Sequence, residues 1–312
     1  MAQPRHVLVL KGGISGEREV SLRSGAQCAE ALRAAGYRVS ELDVTFDLTA
    51  TLGASIAAAR PDVVFNTLHG KYGEDGTVQG LLELMRIPYT HSGVLASALA
   101  MNKAQACKIM KAAGVPVADG RLVRRIEAAR AHVMPPPYVL KPNEGGSSLG
   151  VFIVREDMEH PPQELWSEEW PYGEWLLAER FVAGMELTCA VMGDTALGVI
   201  EIVQDARFYD YEAKYAPGGS RHILPARIQP NVYHDVQKLT VMAHRALGCR
   251  GVSRADFRYD DRPNGTGGLI CLEVNTQPGM TRTSLVPELA AHAGHSFPDL
   301  VRWIVEDASC DR

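Results

Sequence analysis

A chain of 312 residues, 46% hydrophobic and 22% charged, has the composition of a soluble globular protein and is too long for one ordinary core, so two or three domains are expected. A formal charge of -5 with no clustered run of lysine and arginine argues against a nucleic-acid partner, whose phosphates need many cations on one face. No apolar run approaches the roughly 18 residues of a membrane span, and His6 to Leu10 is too short for a signal segment, so the chain is expected in the cytoplasm without a membrane partner.

Six cysteines lie scattered without a C-x-x-C pair, several inside apolar patterns, and read as reduced thiols. Val7 to Leu10 is an apolar strand, Glu17 to Ala35 a helix ended by Gly36, Tyr37 to Val44 a second strand and Asp62 to Leu68 a third. Strand, glycine turn and helix in succession make the α/β unit. The first hundred residues are therefore expected to form an open parallel sheet with sites at the carboxyl ends of its strands. Two of those ends are polar, Lys11 to Glu19 and His69 to Gly76. Gly12, Gly13 and Gly16 do not give G-x-G-x-x-G, which sets aside a dinucleotide loop. Taken alone, Glu17 is a first-turn acid of any helix and His69 a loop histidine.

Asn102 caps a predicted helix from Lys103 to Ala113, and Gly114-Val115-Pro116 ends it. The strands Tyr138 to Lys141 and Val151 to Val154 flank a glycine- and serine-rich stretch, Pro142 to Gly150, which predicts an antiparallel hairpin with a long tip. Small residues there let backbone N–H groups approach an anion, and Lys141 adds charge. Three apolar strands follow between Trp175 and Ile202, broken at Ala183-Gly184 and Gly193-Asp194. Glu179 and Glu186, near the first break, are either solvent-facing strand ends or acids that meet an adenine amine and ribose hydroxyls. The polar, tyrosine-rich segment 204–222 reads as a lid.

The strand Cys271-Leu272-Glu273-Val274-Asn275 carries the most pointed signal. Residues two apart in a strand share a face, which puts Glu273 and Asn275 together and Leu272 with Val274 behind them. Asp256, in a similar alternation, is expected on a neighbouring strand. Two carboxylates and an amide oxygen, completed by phosphate oxygens and water, suit Mg²⁺.

In this order, Gly12 to Ser21, His69-Gly70 through Gly76, Lys141 to Gly150, Phe208 to Tyr215 and Glu273 to Thr281 resemble the D-alanine:D-alanine ligase family of the ATP-grasp superfamily over essentially the whole chain. The resemblance implies a three-domain fold of α/β and α+β type. An N-terminal open parallel α/β sheet (1–100) would bind substrate, a small central α+β domain (101–182) and a C-terminal α+β domain (183–312) would hold ATP, and the lid would span 204–222. It implies that Lys103, Lys141 and Lys214 meet the phosphates, that Glu179 with the backbone at Phe181 and Val182 meets adenine, and that Glu186 holds the ribose. Asp256, Glu273 and Asn275 would carry two Mg²⁺ ions, or Mn²⁺ in their place. Glu17 would hold the ammonium of a first D-alanine, His69 would help place it, and Ser284 with the N–H of Leu285 would receive the carboxylate of a second. Arg254 and the N–H of Gly279 would stabilise the tetrahedral oxyanion, while Tyr215, bonded to Ser147 and Glu17, would latch the lid. The implied reaction is ATP-dependent condensation of two D-alanines through a D-alanyl phosphate, by a homodimer. D-Alanyl-D-lactate formation, another carboxylate–amine ligation and a non-catalytic nucleotide sensor stand as alternatives.

Overall fold

The computed structural model describes residues 4–146, 149–204 and 220–311. Three sheets organise them. In the first, β1 (His6–Gly12) lies between β2 (Arg38–Val44) and β3 (Val63–Asn66), all parallel, as the N-terminal alternation of strand and helix predicts. Its side chains alternate by period two: Val7 and Val9 enter one apolar cluster, Leu8 and Leu10 another. Helix α1 (Arg18–Ala34) covers the first face through Cys28, Ala29 and Leu32, whereas α2 (Leu52–Ala59) and α3 (Thr77–Met85) cover the second through Ile56 and Leu82.

After α4 (Val94–Met101), the helix α5 (Lys103–Ala112) starts where Asn102 accepts a hydrogen bond from the N–H of Gln105 at 3.2 Å, the expected cap. Strand β4 (Gly120–Arg124) and the short α6 (Arg125–Arg130) lead into the hairpin of β5 (Tyr138–Pro142) and β6 (Phe152–Val154), which pair antiparallel. With β7 (Trp175–Arg180) they form an antiparallel sheet in the order β4-β7-β5-β6. Its core is small: Val123, Tyr138, Leu140, Leu165 and Leu176 are among its buried members.

The third sheet has the order β10-β9-β8-β11-β12, made of β8 (Met185–Met192), β9 (Thr195–Gln204), β10 (Ser220–Ile223), β11 (Val252–Tyr259) and β12 (Leu269–Asn275). Helix α7 (Pro230–Ala246) packs on one face with α4 and α5, around Met110, Val236 and Phe257. The chain closes with α8 (Leu285–His292) and α9 (Phe297–Glu306), and these two do not pack on their own sheet alone. Leu300, Val301 and Ile304 of α9 share one core with Val7, Val9 and Leu32. The N-terminal sheet is thus sealed by residues nearly 300 positions away.

One expectation is corrected. Asp256 pairs with Glu273, but the next pair is Phe257 with Cys271, so Leu272 is the extra residue of a β-bulge. The simple alternation that set Leu272 beside Val274 is broken there. Cys271 joins Val274 in the core, and Leu272 lines the cavity instead. No disulfide forms among the described cysteines; burial pushes the Cys189 and Cys249 thiols up to about 12 and holds them as inert core groups. Among the described residues no helix is long and apolar enough to cross a membrane.

Gln277, just past β12 and 1% exposed, ties the third sheet to the first. Its Oε1 accepts from Asn66 Nδ2 at 2.8 Å and its Nε2 donates to the Leu68 carbonyl. Gln277→Ala leaves a buried amide and a buried carbonyl without these partners, an expected loss of about 2 kcal/mol or more that a lower urea midpoint would register. An unchanged midpoint would mean that the bridge does not hold the two sheets.

Candidate active site

A cavity of ≈ 2330 Å³ opens between the second and third sheets and reaches the carboxyl ends of β1 and β3. Its floor is a cross-strand row. On β11 the period of two aims Arg254, Asp256 and Arg258 to one side. Register then sets Thr188 and Glu273 on either side of Asp256, Asn275 beside Arg254 and Glu186 beside Arg258. The Thr188 hydroxyl donates to Asp256 Oδ1 at 2.6 Å, and the Arg254 guanidinium bonds both carboxylate oxygens of Asp256 at 2.9 and 2.8 Å.

Two lysines face this row. Lys103, at the start of α5, is almost buried; its Nζ lies 3.7 Å from Glu273 Oε2 and donates to the Gly145 carbonyl. Lys141, near the end of β5, is equally buried and pairs with Glu179 of the adjacent β7 at 2.6 Å. Burial alone would lower the Lys141 pKa, but Glu179 and Glu273 outweigh it and raise the value, so the ammonium stays charged. The cavity therefore holds ionised groups of both signs in a poorly solvated space. Such an arrangement suits a polyanion whose charge is bridged by cations.

The far wall comes from the first sheet. Glu17 opens α1, and its Oε2 sits 3.3 Å from where a Cβ on Gly70 would lie and 3.0 Å from one on Gly146. Gly70 is the glycine this approach requires, for its φ of +69° and because a Cβ there would lie 2.8 Å from Ser15 Cβ. His69 and Glu74 are buried beside it, with His69 Nδ1 3.8 Å from Glu74 Oε2. Burial pushes Glu17 up to about 7, Glu74 and Glu273 add to the rise, and His69 and Lys103 oppose it. For His69, burial favours the neutral ring, but Glu74 and Glu17 prevail and raise its pKa.

At the third corner Gly279 faces Ser284, whose hydroxyl meets the Thr281 hydroxyl at 2.7 Å and accepts from the Thr281 N–H at 3.1 Å. Leu285 is the first residue of α8, where backbone N–H groups have no partner inside the helix. Phe181 and Val182 line the cavity on the connection from β7 to β8. The structure thus brings fifteen of the predicted site residues around one cavity: Glu17, His69, Lys103, Lys141, Glu179, Phe181, Val182, Glu186, Arg254, Asp256, Glu273, Asn275, Gly279, Ser284 and Leu285. Ser147, Lys214 and Tyr215 lie outside the described residues.

Sequence reasoning gave no role to Glu74, Thr188 or Arg258. Arg258 had a visible signal, because Arg254-x-Asp256-x-Arg258 continues the alternation by one step. Thr188 had none, since only the pairing of β8 with β11 puts it beside Asp256. Among the described residues no three His, Cys, Asp or Glu side chains converge as a metal site. Asp256, Glu273 and Asn275 instead offer two carboxylates and an amide in a row, hard oxygen donors that fit Mg²⁺ shared with phosphate oxygens.

The model of the D-ala D-ala ligase C-terminus matches residues 109–306, and that of the D-ala D-ala ligase N-terminus matches residues 43–92. The chain belongs to the D-alanine–D-alanine ligase family. A member from Xanthobacter autotrophicus, named D-alanine–D-alanine ligase, is 69% identical over 308 residues, 99% of each chain. Among solved structures, the Bacillus anthracis D-alanine–D-alanine ligase complexed with ATP matches with a TM-score of 0.80 at 29% identity, covering 97% of both chains. The VanG D-Ala:D-Ser ligase of Enterococcus faecalis matches at 0.78 and 29%, covering 97% of this chain and 99% of that one. These neighbours make the fold that of the ATP-grasp ligases, as the resemblance implied.

The raised Glu17 pKa carries a testable sign. An unfolded carboxyl ionises near 4.5 and the folded one near 7, so ionised Glu17 costs stability that is absent below about pH 4.5 and complete above 7. Glu17→Gln should raise Tm over the parent protein at pH 8, with the gap closing towards pH 5. Equal midpoints at pH 8 would contradict the desolvated setting of this carboxylate.

Proposed function

We propose that this chain is an ATP-dependent ligase that condenses two D-alanines to D-alanyl-D-alanine, with release of ADP and phosphate, for peptidoglycan precursors. The row of Asp256, Glu273 and Asn275 facing Lys103 and Lys141 carries the proposal, because it is chemistry for a nucleoside triphosphate and nothing smaller needs it. Relatives of that name at high identity over the full chain supply the substrate.

Amide formation requires a carboxylate to become an electrophile. An oxygen of the first D-alanine attacks the γ-phosphorus, the bond to ADP breaks, and a D-alanyl phosphate forms. Lys103 and Lys141 offset the repulsion between carboxylate and triphosphate. Asp256, Glu273 and Asn275 would hold Mg²⁺, or Mn²⁺, which when bound supplies further charge neutralisation on the phosphates. Glu179 and the backbone at Phe181 and Val182 receive adenine, and Glu186 the ribose. Glu17 binds the ammonium of the first D-alanine, with His69 beside it. The amine of the second D-alanine then attacks the acyl carbon, loses a proton, and phosphate leaves. Arg254 and the N–H of Gly279 donate to the oxyanion that forms on the way. Ser284 and the N–H of Leu285 take the second carboxylate. By family resemblance Ser147, Tyr215 and Lys214 would close over this site.

Division into segments 1–100, 101–182 and 183–312 belongs to the same proposal, as do a cytoplasmic location and a homodimeric state. The E. faecalis neighbour favours one second reading, D-serine in place of the second D-alanine. The deciding experiment is ADP release from MgATP with D-alanine as sole amino acid, L-alanine as control and mass analysis of the product. The expected result is ADP only with D-alanine and one dipeptide per ADP. ADP formation without dipeptide, or none with either amino acid, would overturn the proposal.

A further inference from the structure

Arg258 stands in the cavity wall with no part in the chemistry just described. It is the third cavity-facing residue of β11, two positions beyond Asp256, and so lies away from the phosphate-facing lysines and towards the break between the second and third sheets. Its Nε donates to the Val182 carbonyl at 3.1 Å, and its Nη1 lies 3.4 Å from Glu186 Oε2. Arg258 and Glu186 are also direct partners in the register of β11 and β8, which fixes the pair through the backbone as well as through the side chains. Both side chains are largely buried, at 17% and 18% exposure.

Two consequences follow from this geometry. A carboxylate is acceptor-only and can bind several donors at once, so an arginine on one oxygen leaves the group oriented and able to accept hydroxyl groups as well. The second arm holds the Val182 carbonyl, and Val182 sits on the connection through which β7 of the second sheet passes to β8 of the third. One guanidinium therefore sets both the carboxylate and the connecting backbone. A lysine has no planar fork and cannot serve both acceptors from one rigid group.

We propose that Arg258 is a positioning residue for the nucleotide, aiming Glu186 at the ribose hydroxyls and fixing the Val182 connection, so that this chain selects ribonucleotides over deoxyribonucleotides. The inference rests on the reading of this cavity as the ATP site. It differs from a purely structural ion pair, which would hold the sheets together without regard to the sugar.

The test compares the parent protein with Arg258→Met, Arg258→Lys, Glu186→Gln and the Arg258→Met/Glu186→Gln double variant. Each is supplied with MgATP, 2′-deoxy-ATP and 3′-deoxy-ATP, and ADP binding is measured by calorimetry. Arg258→Met should raise the KM for ATP about tenfold, the scale of one lost charge-assisted hydrogen bond, while kcat and the KM for D-alanine stay within about twofold. The parent should disfavour at least one deoxynucleotide; Arg258→Met and Glu186→Gln should lose most of that preference, and the double variant should be no worse than either single change. Arg258→Lys keeps a cation for folding and should still show the weaker discrimination. A full ribose preference in either Arg258 variant, or parallel rises in the KM values for ATP and D-alanine, would overturn the assignment. If the parent itself bound neither ADP nor ATP, the nucleotide reading beneath it would fail, an outcome distinct from normal binding with an unaltered variant.

Discussion

The antiparallel register of β8, β11 and β12 is the constraint on which the rest depends. It brings Glu186, Asp256 and Glu273 onto one face of one sheet, together with Arg254 and Arg258. Like charges so close in a half-buried site would repel unless each has a counter-ion, and the structure supplies one to each: Arg258 for Glu186, Arg254 for Asp256, Lys103 for Glu273. The arrangement has little to do with stability, since buried ion pairs roughly break even against apolar packing. It fits the proposed site for a charged substrate, whose phosphates would meet charges of both signs already gathered on one sheet face.

A rigid frame is needed to hold such a field, and the core shows where it comes from. Helix α5 carries Lys103 into the cavity from its first turn and packs the same face further along, through Ala106 and Met110 at i+3 and i+7, on the third sheet. Lys141 comes from the second sheet, so the two lysines approach from separate layers. Glu17 comes from the first sheet, which α9 and Gln277 bind to the third. The site is thus a junction of three sheets, and the N-terminal one shares a core with the sheet that carries the cross-strand row. A shared core of this kind keeps Glu17 at a fixed place relative to Glu273, near enough for each charge to be felt by the other.

Much of this was legible in the amino-acid order because strands and short loops carry local rules. The alternation in Glu273-Val274-Asn275 located the polar face, the small residues of Pro142 to Gly150 marked a loop beside the cavity, and Asn102 located the start of α5. What stayed hidden depends on partners distant in the chain. The bulge at Leu272 arises from pairing with β11 and has no local glycine to announce it. The packing of α9 against β1 joins segments from opposite ends of the sequence, which were expected in separate domains. Arg258 was visible as one more polar residue in an alternating strand, yet its meaning required Glu186 and Val182 beside it. Ser147, Lys214 and Tyr215 lie outside the described residues, and their proposed roles rest on family resemblance.

The central claim is that this field serves to make a carboxylate attack phosphorus. It is tested most directly with D-alanine labelled with oxygen-18 in both carboxyl oxygens, followed by mass analysis of the phosphate released in a complete reaction. A D-alanyl phosphate passes one labelled oxygen from the first alanine to phosphate, so the account predicts one oxygen-18 in each phosphate molecule released. Unlabelled phosphate, formed in step with dipeptide, would contradict it.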